Sequence, residues 1–91
     1  MIHPIIGEEK VTVGTTAVNV EVNYRAFLIK NNSTSATVYF CEAKDGAEAT
    51  AETGFALSAG ETCPVLLCAH TLSLVASAEA DVRMLYIGEG W

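Results

Sequence analysis

The sequence predicts an all-β fold: an antiparallel β-sandwich, or a small barrel, of seven to eight short strands. Alternating or β-branched apolar segments recur along the chain, and turn residues separate them roughly every 8–12 residues. No segment carries an apolar stripe long enough for a helix that would connect parallel strands. The segments should therefore pair antiparallel and bury their apolar faces between two sheets.

The predicted strands differ in how many of their faces are apolar. Residues 17–23 alternate strictly between valine and polar residues, which indicates a strand with one wet face. Residues 24–30 and 80–87 are apolar on both sides, so both of their faces should be covered. Pro64 favours the edge of a sheet. The other predicted strands are residues 10–13, 36–42, 55–57, 62–68 and 71–77.

Turn residues and one polar stretch separate these strands. Residues 31–35, with two Asn and two Ser, predict a turn that joins the flanking strands as a hairpin. Residues 58–61 predict a second tight turn. Residues 43–54 are acidic and rich in alanine but lack an apolar stripe, and we expect a long exposed loop there. This loop or another subunit would cover the second apolar face.

The 91 residues leave room for one domain. We expect an N-terminal arm over residues 1–9, a single β-sandwich domain over residues 10–88 and a C-terminal tail over residues 89–91. Hydrophobic residues make up 51% of the chain and charged residues 18%, which is more apolar material than so small a domain easily buries. The excess predicts contacts between subunits.

The two ends of the chain are the candidates for these contacts. Apolar residues surround Pro4 near the N-terminus, and a tryptophan follows two glycines at the C-terminus. Aromatic and aliphatic anchors dominate the energetics of protein interfaces. The predicted interface residues are Ile2, Ile5, Ile6 and Trp91. The alternative is that both ends fold back onto the sandwich of their own subunit.

The charge of the chain argues against nucleic-acid and membrane partners. The formal net charge is −6, and a basic stripe would be the signature of nucleic-acid binding. The five basic residues are scattered along the sequence: Lys10, Arg25, Lys30, Lys44 and Arg83. The N-terminus does not resemble a signal peptide, and no apolar run is long enough to span a bilayer. We therefore expect a soluble protein made in the cytoplasm.

No arrangement of reactive residues predicts catalysis or metal binding. Cys63, Cys68 and His70 have a spacing that matches no common zinc site. The third cysteine, Cys41, makes the count odd, and we expect all three to be reduced. The acidic loop does not place its carboxylates at EF-hand positions, and no glycine-rich phosphate loop is present. The sequence therefore predicts a protein that is not an enzyme, with no cofactor and no metal site.

Three short motifs lie in the second and third quarters and near the end of the chain: Ile29, Asn31, Ser33, Val38 and Tyr39, then Gly54, Phe55, Leu57, Ala59, Gly60 and Glu61, and finally Ala80, Asp81, Val82 and Arg83. These motifs resemble those of small bacteriophage virion proteins of the head-decoration and head-fibre type. The resemblance implies a jelly-roll or Ig-like sandwich, commonly a homotrimer, located in the virion. Its expected partners are a second copy of the chain and the major capsid protein or another virion protein.

A second hypothesis is a carbohydrate- or receptor-binding β-sandwich module. Such modules stack sugars on aromatic side chains that have carboxylates nearby. The available aromatic residues are Tyr24, Tyr39, Tyr86 and Trp91.

Overall fold

The computed structural model describes residues 5–22, 26–43, 47–66 and 71–87. They form eight strands: β1 (Ile5–Val13), β2 (Val18–Glu21), β3 (Ala26–Asn31), β4 (Val38–Glu42), β5 (Phe55–Leu57), β6 (Thr62–Leu66), β7 (Thr71–Ala76) and β8 (Ala80–Ile87). These ranges contain no helix, and hence no helix that could cross a membrane. The predicted all-β sandwich is confirmed.

The eight strands form two four-stranded antiparallel sheets with the jelly-roll order. Sheet A has the order β1-β8-β3-β6, and sheet B has the order β2-β7-β4-β5. The first strand pairs with the last, the second with the seventh, the third with the sixth and the fourth with the fifth. This nested pairing is that of an eight-stranded jelly roll, and it differs from the strand order of the immunoglobulin fold.

One local prediction is wrong: the strands that flank residues 31–35 do not form a hairpin. β3 lies in sheet A and β4 in sheet B, so the connection between them crosses from one sheet to the other. Turn residues reverse the chain and β propensity favours extended segments, and both signals are the same whether or not the two flanking strands pair with each other. They carry no information about which strand becomes the partner.

The hydrophobic core lies between the sheets and follows the alternation of the strands. From sheet A, Phe27 and Ile29 on β3 and Met84 on β8 are buried, and Leu72 and Leu74 on β7 face them from sheet B. The rings of Phe27 and Tyr86 meet edge to face with their centroids 6.0 Å apart. The neighbouring residues on β3 and β8 point to the outer face of sheet A, as the sequence predicts.

The structure moves one predicted boundary and agrees with one predicted position. β1 begins at Ile5, so residues 5–9 of the predicted arm belong to sheet A. Pairing with β8 extends β1 through Gly7, Glu8 and Glu9, which have low intrinsic strand preference. β6 forms an edge of sheet A, and the last two residues of its predicted range, 67 and 68, lie outside the described residues. The edge position expected from Pro64 is confirmed.

The acidic loop, of which residues 47–54 are described, is not exposed throughout. Ala49 is buried, and its backbone N–H donates a hydrogen bond of 2.9 Å to Ser73 Oγ on β7. Ser73 points to the outer face of sheet B and is itself fully buried. The loop therefore covers part of the outer face of sheet B. The strands predicted to be apolar on both sides, β3 and β8, lie in sheet A, so the described part of the loop is not the cover expected for them.

A buried asparagine joins the two sheets at one end of the sandwich. Asn31 ends β3 in sheet A and has no exposed surface. Its Nδ2 donates to the carbonyl oxygens of Ala36, at 2.7 Å, and Leu57, at 2.9 Å, next to and on sheet B. Its Oδ1 accepts hydrogen bonds from the backbone N–H and the hydroxyl of Ser33. All hydrogen-bonding groups of this amide are therefore satisfied without water.

The turn over residues 58–61 is tied to the same asparagine. The backbone N–H of Asn31 donates to Glu61 O at 3.0 Å, and the N–H of Gly60 donates to Asn31 O at 2.7 Å. Gly60 has a φ of 82°, in the left-handed region that favours glycine. The Glu61 carboxylate accepts a 2.6 Å hydrogen bond from the N–H of Ser58, which closes the turn.

Replacing this amide should destabilise the whole sandwich. In Asn31→Ala, the Leu57 carbonyl loses its Asn31 donor and the Ala36 carbonyl keeps the 3.2 Å hydrogen bond from Ser33 Oγ, and we expect a loss of about 2–4 kcal/mol in the free energy of unfolding, measured by urea denaturation. Asn32→Ala is the control, since Asn32 is exposed and should cost less than about 1 kcal/mol. Equal losses in the two variants would contradict the role assigned to Asn31.

The covering loop should be equally sensitive at Gly54. A Cβ at this position would lie 2.8 Å from Tyr39 Cβ and 2.9 Å from Thr50 O. We expect Gly54→Ala to lower the free energy of unfolding by about 1–3 kcal/mol. Gly14→Ala, where a Cβ meets nothing within 4 Å, should change it by less than about 0.5 kcal/mol. Thermal unfolding of both variants measures the difference, and a tolerated Gly54→Ala would contradict the packing of the loop.

Candidate functional site

The outer face of sheet A carries two neighbouring rows of side chains that run across the strands. Lys10 on β1 and Lys30 on β3 both pair with Arg83 on β8, and we call these three residues the cation row. Two residues further along the strands, Leu85 pairs with Leu28, and Leu28 pairs with Pro64 on β6. We call Leu85, Leu28 and Pro64 the leucine row.

Every lysine and arginine in the described ranges belongs to the cation row; Arg25 and Lys44 lie outside those ranges. The three side chains are exposed. Neighbouring strands are about 4.8 Å apart, and like charges placed directly opposite each other destabilise a sheet. Residues that are scattered in the sequence are thus concentrated on one face, at an electrostatic cost to the fold.

Asp81 offsets part of this cost. Arg83 Nε donates to Asp81 Oδ1 at 2.9 Å, and Arg83 Nη2 donates to Asp81 Oδ2 at 2.8 Å. The Arg83 guanidinium, followed by the amide of Asn32, lowers the pKa of Asp81 to about 2, and Asp81 in turn raises the pKa of Arg83. This two-point pairing orients the guanidinium within the row. The face therefore carries charges of both signs. Its second carboxylate, Glu8, lies on the edge strand β1 opposite Leu85.

The leucine row forms the apolar part of this face. Leu28 and Leu85 are half-buried and Pro64 is exposed. Leu28, Leu85 and the three cations line a groove of about 420 Å³, with Glu8 at one side. Half-buried Ala26 and Ile87 lie beyond the leucines on the same face. An apolar strip bordered by charged side chains is the composition of a protein interface.

The outer face of sheet B is different. The loop over residues 47–54 covers Ser73, and Tyr39 on β4 is half-buried beside Gly54. Asn19 and Glu21 on the edge strand β2 are exposed. The protein thus covers one outer face with its own chain and presents mixed apolar and charged rows on the other.

The structure places the predicted interface residues only in part. Ile2 and Trp91 lie outside the described residues. Ile5 and Ile6 are the first residues of β1, and the backbone of Ile5 pairs with Ile87. They belong to a strand of sheet A and not to an arm outside the sandwich, which agrees with the alternative that this end folds back onto its own subunit. Their role in a contact between subunits stays a prediction.

The aromatic residues of the carbohydrate hypothesis are not gathered on one surface. Tyr86 is a core residue with 6% of its surface exposed, and its hydroxyl donates to Glu9 Oε1 at 2.6 Å. Tyr39 lies under the loop of sheet B. Tyr24 and Trp91 are outside the described ranges. Tyr86 is therefore not available to stack on a sugar.

The reactive residues singled out in the sequence are described only in part. Cys41 and Cys63 are free thiols, and both are half-buried. Cys68 and His70 lie outside the described ranges. Within those ranges, no three His, Cys, Asp or Glu side chains come together as a metal site would require.

The motif residues that carry the resemblance to virion proteins have structural roles where they are described. Asn31 and Ser33 form the amide network, Gly60 provides the positive φ of the turn, and Glu61 closes that turn. Asp81 fixes Arg83. These motifs specify the end of the sandwich where the sheets are joined.

Sequence reasoning missed two features of the surface. The cation row needs the register of β1, β8 and β3, which no local pattern contains. The other feature is Phe55, the one large hydrophobic side chain in the described ranges that is exposed, with 62% of its surface accessible. The sequence predicts a strand over residues 55–57 but contains no signal that the Phe55 side chain is exposed.

The ion pair on sheet A predicts a pH dependence of stability. Because the pKa of Asp81 is about 2 in the folded protein and near 4 in an unfolded chain, its ionised form stabilises the fold above about pH 4. This contribution is lost as the pH falls from 4 to 2. The difference in urea midpoint between the wild type and Asp81→Asn should therefore shrink over that interval.

Arg83→Met tests the cause of this dependence. The variant removes the leading partner of Asp81, and it should weaken the pH dependence that the wild type shows between pH 4 and 2. An unchanged dependence in Arg83→Met would assign the low pKa to another cause.

No protein family, curated protein or solved structure matches the chain. Function is therefore inferred from the fold and from the outer face of sheet A.

Proposed function

We propose that the protein is a non-enzymatic structural component of a bacteriophage virion. In this role it is a capsid decoration or stabilising protein, or a head-fibre component. It binds the major capsid protein or another virion protein as a homo-oligomer, a homotrimer. The observation that carries the proposal is the outer face of sheet A, where an apolar row lies beside a row of cations.

The composition of this face supports a protein partner rather than a polyanion or a membrane. Glu8 and Asp81 flank the cations, and Asp81 already pairs with Arg83. Nucleic acids and anionic lipid surfaces select faces of uniformly positive charge. A protein surface can match charges of both signs and bury the leucines at the same time.

The fold supports the proposal at a coarser level. Eight-stranded jelly rolls recur in viral capsid proteins, and they also occur in lectins and cupins. Fold alone therefore does not determine a role. The motifs that resemble virion proteins narrow the choice, because several of their residues form the hydrogen-bond network that joins the sheets.

The hydrogen bonds of three serine hydroxyls support a structural role. Ser33 Oγ donates to Asn31 Oδ1, Ser73 Oγ accepts the N–H of Ala49, and Ser77 Oγ accepts the N–H of Thr37. A nucleophilic hydroxyl needs a base beside it and access to substrate. These hydroxyls instead hold backbone segments in place.

The composition of purified virus particles tests this proposal. Particles released from cells that carry the gene should contain the protein in a fixed ratio to the major capsid protein, measured by quantitative mass spectrometry. A surface component should also be degraded when intact particles are treated with protease, whereas internal proteins are protected. Absence of the protein from the particles, in cells that do synthesise it, would overturn the proposal.

A further inference from the structure

We infer that copies of this chain associate head to tail: Phe55 of one copy packs onto the leucine row of the next, and three such contacts close a ring. The inference rests on the proposed homo-oligomeric role and identifies the contact that produces the oligomer. It assigns a role to Phe55 and an occupant to the outer face of sheet A.

Phe55 has the properties of an interface anchor. It lies on the short edge strand β5 with 62% of its surface exposed. Its ring meets that of Phe40 edge to face, with a centroid distance of 5.6 Å. This contact holds the exposed ring in place, so little side-chain entropy is lost when it is buried by a partner. Large aromatic residues held in this way are frequent hot spots of protein interfaces.

The leucine row is the matching surface. Leu28 and Leu85 are half-buried on a groove of about 420 Å³, which has room for an aromatic ring. Pro64 extends the row to the edge strand β6. An apolar anchor and an apolar receiving surface thus occur at different places on the same molecule, which is the requirement for a heterologous contact.

The charges beside the two surfaces are complementary. Glu52 and Glu48, on the loop that leads into β5, are exposed, and the described part of that loop has no cation. Beside the leucine row lie Lys30 and Lys10, and no carboxylate in the described ranges is as close to either of them as Asp81 is to Arg83. Glu8 occupies the β1 end of the row, opposite Leu85, so the acidic loop is expected to approach from the side of Lys30. When Phe55 of one copy enters the groove, Glu52 can approach the cation row of the next. The two surfaces would therefore attract each other although each copy is acidic overall.

The position of Phe55 allows head-to-tail contacts between copies. Phe55 pairs with the core residue Phe40, so its side chain points from sheet B toward sheet A at the edge of the sandwich. Val65 on β6 lies at the same groove between the sheets. The anchor and the leucine row, which lies on the outer face of sheet A, are thus separate surfaces of one copy. Head-to-tail contacts form a closed ring when the rotation between copies closes, and three copies is the number of the proposed homotrimer.

The size of the face fits an oligomer of moderate affinity. Four strands spaced about 4.8 Å apart, with a longest strand of nine residues, give a footprint of roughly 600 Å² on each partner. The contact then buries about 1,200 Å² in total, the lower end of the range for a specific interface. Each copy in a ring makes two such contacts, and closure of the ring adds to the stability of the assembly.

Light scattering after size exclusion measures the assembly directly. The wild type should have three times the mass of one chain at high micromolar concentration. Phe55→Ser and Leu85→Glu should each raise the dissociation constant of the trimer at least tenfold, because each removes one side of the contact. Ala56→Ser, at the exposed neighbour of Phe55, and Asn19→Glu, on sheet B, are the matched controls and should remain trimeric. Circular dichroism checks that all variants are folded.

A charge exchange tests the same contact without removing apolar surface. Glu52→Lys and Lys30→Glu should each weaken the trimer, and the double variant that carries both changes should recover most of the lost affinity. Recovery in the double variant supports a contact between Glu52 and the cation row. Additive weakening in the double variant would contradict it.

Mixing the two defective variants distinguishes a heterologous contact from a symmetric one. Phe55→Ser keeps the receiving face and Leu85→Glu keeps the anchor, so a mixture should form a complex of one copy of each, detected by native mass spectrometry. A symmetric contact between two leucine rows would give no such complex, and Phe55→Ser would then still self-associate. Either of those results overturns the inference, as does a wild type that stays monomeric.

The proposed function can fail separately from this inference. A monomeric protein that is present in purified particles would leave the virion role intact and remove the contact. If the protein forms a trimer that depends on Phe55 but is absent from the particles, the contact is supported and the virion role is overturned.

Discussion

The sandwich depends on one buried amide at the end where the chain passes between its two sheets. Asn31 belongs to sheet A by its backbone, while its side chain satisfies carbonyl groups next to and on sheet B. The same residue ties down the turn that leads back into sheet A. Packing of apolar side chains would tolerate some sliding of one sheet over the other. Hydrogen bonds to fixed carbonyl oxygens do not, and so this amide sets the relative position of the two layers.

The strands could be predicted from the sequence because alternation and β-branched residues are local signals. Every predicted strand is present, although the described strand ends differ from the predicted ones, most of all at β1, which begins five residues before Lys10. The pairing of strands could not be predicted, and the supposed hairpin between β3 and β4 shows why: the Asn-rich turn reverses the chain, but the Asn31 side chain directs it into the other sheet. The cation row depends on that pairing. Lys10, Lys30 and Arg83 become neighbours only once β1, β8 and β3 are in register.

The two outer faces illustrate how a small domain manages excess apolar surface. On sheet B, the chain folds its own loop over the strands, with Ala49 buried against Ser73. On sheet A, the leucines are only half-buried and are bordered by charged residues instead. A domain of this size buries a modest fraction of its surface on folding and is correspondingly marginal in stability. Any partner that binds only the folded form would stabilise it further.

The nested pairing of the strands also determines how the protein reaches its native state. In the described ranges, β4 and β5 are the one pair of consecutive strands that are hydrogen-bonded to each other; every other pairing joins segments that are farther apart along the chain. Such a topology has a high contact order, so long loops must close before most native contacts can form, and folding times of milliseconds to seconds are typical. During that interval, the apolar strands are exposed and have not yet paired. A chain that folds at low concentration can therefore complete the jelly roll with its own strands. At high concentration, as at the site of synthesis, strand exchange between molecules is favoured.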